Sequence, residues 1–201
     1  MGIVRRLLRP STFLKKGALS FALKIASAII AFVFTLVVRR QLGRDSAGEI
    51  FLAWSYVIVL ATIARIGMDQ AMTRLIAGLL VERRFDDVRR SYRTSMAIGL
   101  FVSITLAACL WRLSDWVCAT FYSQEFLPIL RVSACAIPAV GLGILHARFF
   151  QGLKNMVGLQ LYQNLGGSSL YLLVAAGLYL SNQQPSVLTM MVVLVCSYWA
   201  F

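Results

Sequence analysis

The sequence predicts an all-α protein, a polytopic membrane helix bundle of about six transmembrane helices, and three observations carry that expectation. Apolar residues make up 59% of the 201 residues and charged residues only 14%, where soluble domains run near half and a quarter. Mean hydropathy is +0.76. The apolar surplus gathers into blocks close to the roughly 20 residues that cross a bilayer as a helix. Length alone would suit one soluble domain, but composition overrides that.

Six blocks follow one another. The first, 17–38, is interrupted only by Lys24. A basic arm of Arg5, Arg6, Arg9, Lys15 and Lys16 precedes it, as in a secretory signal. The block is too long for a signal core, however, and ends at Arg39-Arg40 instead of a small-residue cleavage site. It reads as a helix that stays in the membrane. The second block, 47–66, closes on Arg65. The third spans 94–111, between Arg93 and Arg112. The fourth, 126–146, contains Pro128, Arg131 and Pro138, and Pro138 should kink it, leaving carbonyls that need a neighbour. The fifth, 157–180, has no formal charge, and the sixth, 186–201, is expected to be incomplete at 16 residues. The whole of 1–201 is thus expected to form one transmembrane unit.

The segment 72–93 is not a span. Leu75, Ile76, Leu79 and Leu80 recur at helical spacing beside a run of arginines, so it reads either as an amphipathic surface helix or as a solvated connector. Asp86 and Asp87 suit the start of the helix that follows, where the dipole is positive.

The formal charge is +12, from 20 Lys+Arg against 8 Asp+Glu. In a soluble protein that would suggest nucleic acid, but the charges lie between apolar blocks and no nucleic-acid motif is present, so no nucleic-acid partner is expected. With the N-terminus cytoplasmic, thirteen basic residues fall on the inner side and five on the outer, the bias of a multi-pass membrane protein. The four cysteines form no C-x-x-C pair and read as small buried apolar groups. No metal site, phosphate loop or nucleophile–base set is present, so no enzyme activity, catalytic residue, metal or cofactor is expected. The lone His146 reads as an interfacial residue at an inner helix end.

Ionisable groups within spans are costly and face a cavity or partner. Lys24 lies seven residues past Gly17, with Ser20, Ser27, Ala31 and Thr35 on its stripe. Two readings stand: a cation that attracts an anionic substrate, or a lysine that snorkels to headgroups. Arg65 and Asp69 stand one turn apart at the end of the second block, either as a structural ion pair or with Arg65 on a substrate phosphate. Gln160, Asn164, Gly167 and Tyr171 share a face of the fifth block and suit either sugar hydroxyls or bonds between helices, and Gly166 with Gly167 permits close packing.

Three stretches carry a family resemblance. The run Leu42-Gly43-Arg44-Asp45-Ser46-Ala47-Gly48-Glu49-Ile50-Phe51 resembles the outer turn and second-helix start of polysaccharide (O-antigen repeat-unit) flippases, within the multidrug/oligosaccharidyl-lipid/polysaccharide exporter superfamily. The run from Ala64 to Arg74 is similar to that family's Gly-hydrophobic-x-x-Ala-x-x-Arg signature, and Arg148–Asn155 to its inner link into the fifth helix. The resemblance implies two six-helix lobes around a central cavity, of which this sequence supplies the N-terminal one, whether as a fragment or a truncation. It implies alternating access and transport of a lipid-diphosphate-linked, anionic oligosaccharide across the bacterial inner (plasma) membrane for surface polysaccharide biosynthesis. Cavity cations would meet the diphosphate, a role that maps best to Lys24 and next to Arg65. Further expected partners are the bilayer and glycan polymerase or ligase proteins. The alternatives are a cation-coupled multidrug antiporter, disfavoured because the first and fifth blocks hold no carboxylate, and a non-transporting scaffold for glycan assembly.

Overall fold

The computed structural model describes residues 10–65, 67–160, 162, 169, 171 and 186–200, with side chains described from residue 17 onward except at Met156 and Val157. The described residues form helices and turns only: α1 (Pro10–Leu42), α2 (Arg44–Ala64), α3 (Met68–Val81), α4 (Phe85–Phe121), a 3-10 turn (Gln124–Phe126), α5 (Leu127–Ala134), α6 (Ala136–Gly152), α7 (Met156–Gln160) and α8 (Val187–Ala200). Among the described residues, four stretches are long and apolar enough to cross a membrane: Gly17–Leu42, Arg44–Ala64, Phe85–Phe121 and Gln124–Gly152. The shorter apolar helix α8 lies where the sixth block was expected. Most of the fifth block, with Asn164, Gly166 and Gly167, lies outside the described residues, as do Arg5, Arg6 and Arg9.

Large apolar side chains point outward along the long helices, among them Phe21, Ile29 and Phe32 on α1 and Phe101 and Ile104 on α4. In water such surfaces would associate; in hydrocarbon they are the solvated face, and helices associate through close packing instead. The interior follows that rule. The packed stripe of α2 is Ala47, Ile50, Ala53, Val57, Ala61 and Ala64, with alanines letting neighbouring backbones approach. Hydroxyls on the helices bond back to their own backbone, as in Ser103 to the Leu100 carbonyl (3.0 Å) and Ser133 to the Leu130 carbonyl (2.7 Å). No polar partner from the bilayer is then needed.

Helix α6 is the hub, packing on α2, α3, α4 and α8. Its first six residues, Ala136 to Gly141, are all buried. Among the described residues, α1 touches α2 and α7, and its Phe34 meets the Tyr171 ring edge-on.

Breaks occur where the backbone requires them. Gly43 (φ 82°) turns α1 into α2, and Gly67 (φ 70°) separates α2 from α3, so the second helix ends at Ala64 instead of at 66. Both glycines hold left-handed backbone that a Cβ would disfavour. The fourth block divides at Cys135, three residues before Pro138, because the proline has no N–H for the Ala134 carbonyl and its ring crowds the preceding turn. The neighbouring Cys135 carbonyl accepts a hydrogen bond from the Trp199 indole of α8 at 2.9 Å.

The third helix is longer than its apolar block: α4 has 37 residues and begins at Phe85, with Asp86 and Asp87 in its first turn. The segment before it is helical from Met68 to Val81, with Met72 and Ile76 buried against Val88 and partly buried Phe149 and Leu153. Leu75, expected on the apolar face, points outward, since its place in the 3.6-residue repeat lies away from α6. Among the cysteines only Cys118 is buried; Cys109, Cys135 and Cys196 are exposed on the bundle.

Candidate functional site

The polar end of the bundle where α2, α3 and α6 meet gathers charges from three parts of the chain. The turn at Gly67 folds α3 back so that Arg65, at the cap of α2, and Asp69, in the first turn of α3, face one another across the break. Arg65 Nε lies 3.2 Å from Asp69 Oδ2, and Arg148 Nε, near the end of α6, approaches the same oxygen at 3.9 Å. The Arg65 and Asp69 side chains are only 11% and 20% exposed. Arg65 also donates to Thr62 Oγ1 (3.2 Å), and Arg148 donates to Gln151 Oε1 (2.8 Å). Thr73 Oγ1 donates to the Asp69 carbonyl (2.9 Å) and approaches the Arg148 carbonyl at 3.4 Å, a second tie between α3 and α6. Two guanidiniums around one carboxylate leave a net positive charge. Arg65 Nε and Nη1, Arg148 Nε and Asp69 Oδ1 are buried without a hydrogen-bond partner among the described residues.

Close packing sets this arrangement. Gly152 ends α6 directly against Ile76, where an added Cβ would meet the isoleucine Cβ and Cγ2 at 3.0 Å and the Thr73 carbonyl oxygen at 3.3 Å. Beside it, Tyr92 Oη and His146 Nδ1 are 2.7 Å apart, and the imidazole packs among Phe149, Phe150 and Tyr162. His146 is therefore half-buried in an aromatic cluster near the end of α6, where α4 passes across that side of the helix.

Lys24 stands apart from this cluster. It is exposed on the flank of α1, while Ser27 on the same stripe is buried and Ser20 half-buried. Ala31 and Thr35 are exposed, so the stripe runs along the border of the packed face. Ser27 Oγ donates to the Lys24 carbonyl at 2.8 Å. No ion pair involves the Lys24 ammonium among the described residues. Gln160 is half-buried at the end of α7, and Tyr171, expected on its face, is a core residue whose hydroxyl donates to Met190 Sδ at 3.3 Å. Asn164 lies outside the described residues.

Besides the Tyr92–His146 contact, two ion pairs join residues distant in the sequence and were not foreseen from it. Arg148 shares Asp69 with Arg65. Arg131 donates from one Nη2 to both oxygens of Asp115 at 2.8 Å. The signal available beforehand was that Asp69 and Asp115 are acidic residues close to apolar blocks in a strongly basic chain.

These features define a multi-pass, all-α membrane bundle with cationic groups at its polar end and on one flank. The chain matches the model of the polysaccharide biosynthesis protein family over residues 13–200 and belongs to that family, in agreement with the flippase resemblance of its motifs. Membership places it in polysaccharide biosynthesis at a membrane. No curated protein and no solved structure matches it.

Proposed function

We propose that the protein forms part of a flippase that moves a lipid-diphosphate-linked oligosaccharide across the bacterial inner membrane, with its N-terminus in the cytoplasm. The observation that carries this reading is the uncompensated ammonium of Lys24 within a membrane-spanning helix. A bare cation facing hydrocarbon is costly, so this flank of α1 must see water, headgroups or an anion. Among the described residues α1 packs on α2 and α7, and the exposed Lys24 flank is free to line a cavity against a second lobe. An aqueous cavity of that kind carries the sugar and diphosphate while the lipid tail stays in the bilayer, exposed to each leaflet in turn by rocking of the lobes. Arg65 is less suited to the cargo, because Asp69 already engages it.

The antiporter alternative needs carboxylates within the spans to bind the coupling cation. All eight acidic residues are described: Asp45, Glu49, Asp69, Glu82, Asp86, Asp87, Asp115 and Glu125. They sit in helix-end turns, connectors or the outer parts of α2 and α4, which favours a cargo that brings its own negative charge.

The test is Lys24→Ala against Lys24→Arg in the full-length protein, with surface glycan and membrane-inserted protein measured together. The alanine variant should insert normally and lose most export, and arginine should retain it. Unchanged export in the alanine variant refutes the cavity role.

A further inference from the structure

We infer that one side of α4, from Arg89 to Ile104, forms a binding face for an anionic phospholipid, with Arg89, Arg90 and Arg93 on the headgroup phosphate and Leu100, Phe101 and Ile104 against the acyl chains. This does not depend on the transported cargo.

The vertical register comes from length. The uncharged run between Arg93 and Arg112 has 18 residues, about 27 Å of helix at 1.5 Å per residue, close to the roughly 30 Å hydrocarbon core. Trp111 and Trp116, both exposed, stand beside Arg112 at the far edge, as aromatic residues do at a membrane interface. Arg93, Arg90 and Arg89 then fall within about 6 Å of the near hydrocarbon edge, the depth of lipid phosphates. Arg83 and Phe85 project further from the membrane and are not part of the face.

The lateral register comes from helical phase. Residues 89, 90 and 93 lie within an arc of about 100° on the helix surface, turned away from buried Val88 and Gly99. All three arginines are exposed. Leu100, Phe101 and Ile104 continue that side of the helix into the hydrocarbon layer, all exposed, with Phe101 at 74%. A cationic cluster with an open apolar track directly above it matches a phospholipid, which brings a phosphate and an acyl tail in the same order. An acidic soluble protein has no use for the track.

Charge neutralisation separates these arginines from a neighbour. Arg84 is held by Asp87 (2.6 Å) and Glu82 (3.4 Å). No ion pair involves Arg89, Arg90 or Arg93 among the described residues. Asp86, one turn earlier on α4, is the remaining carboxylate nearby, so the face stays positive.

The test uses the full-length protein in a neutral detergent, titrated with phosphatidylglycerol or phosphatidylcholine, with bound lipid counted by native mass spectrometry. The wild type should prefer phosphatidylglycerol, and the preference should weaken as salt rises. Each arginine near an anionic surface contributes roughly five-fold, so R89Q/R90Q/R93Q should lose about a hundred-fold. The corresponding triple lysine variant should stay within about ten-fold of wild type, and R84Q should be unchanged. Equal binding of the two lipids by the wild type, or full phosphatidylglycerol affinity in the triple glutamine variant, overturns the inference. If the glutamine variant does not fold, the salt dependence of the wild type decides, and salt-independent binding overturns it.

Discussion

Replacing Gly152 by alanine tests the seam that assembles the charged cluster. The new Cβ would meet Ile76 Cβ and Cγ2 at 3.0 Å and the Thr73 carbonyl oxygen at 3.3 Å. None of these can step aside cheaply, because Ile76 is fully buried, its Cβ is fixed to the α3 backbone, and the third atom is itself backbone. Relief therefore requires α3 to move from α6 by a few tenths of an ångström. Overpacking of this kind costs about 1–3 kcal/mol, partly offset by up to about 1 kcal/mol from replacing glycine in a helix. With the full offset, a net loss of up to about 2 kcal/mol is expected. The control lies in the same helix: an added Cβ at Gly143 meets nothing within 4 Å, so Gly143→Ala should be neutral or stabilising by up to about 1 kcal/mol. Both variants are compared by unfolding titration in mixed micelles, with cysteine crosslinking between α3 and α6 as the structural readout. If Gly152→Ala is as stable as Gly143→Ala and its crosslinking is unchanged, the close approach of α3 to α6 is refuted.

The same seam predicts the behaviour of Asp69. Asp69→Asn leaves two guanidiniums facing each other in a site where the three side chains are 11–29% exposed, and should cost about 2 kcal/mol, below the full cost of breaking a wholly buried pair. Removing Arg148 as well, in Asp69→Asn with Arg148→Gln, should recover part of that loss; strictly additive losses in an unfolding titration would show that the two do not interact. Alkaline phosphatase joined after Asp87 should be inactive if the α3–α4 connection faces the cytoplasm, and high phosphatase activity would reverse the proposed orientation.

Much of the architecture was legible because its cause is local. A block of apolar residues partitions into hydrocarbon whatever its neighbours are, and there the backbone can satisfy its hydrogen bonds as a helix. Lys24, Arg93 and Arg112 interrupt or bound those blocks visibly. Asp86 and Asp87 announced a helix start, and Pro138 announced a break. Local pattern was less informative about burial. In a soluble protein Leu75 and the cysteines would be expected inside, but in a bilayer the outside is equally apolar, so hydrophobicity no longer distinguishes core from surface.

The charged cluster shows the same division. Arg65 and Asp69 are four residues apart, so their pairing could be read from spacing, although the structure places a left-handed glycine between them instead of a continuous helix. The approach of Arg148 to Asp69, the contact of Tyr92 with His146 and the clamp of Arg131 on Asp115 join residues up to 79 positions apart. Sequence by itself determined that this protein spans a membrane as helices, where the charged borders lie, and which family it belongs to. Tertiary structure decided which charges neutralise one another and which stay free. Helix formation and partition depend on each segment's own composition, whereas ion pairing depends on rotation and depth between helices, and these are set by the packing of small residues such as Gly152 against Ile76.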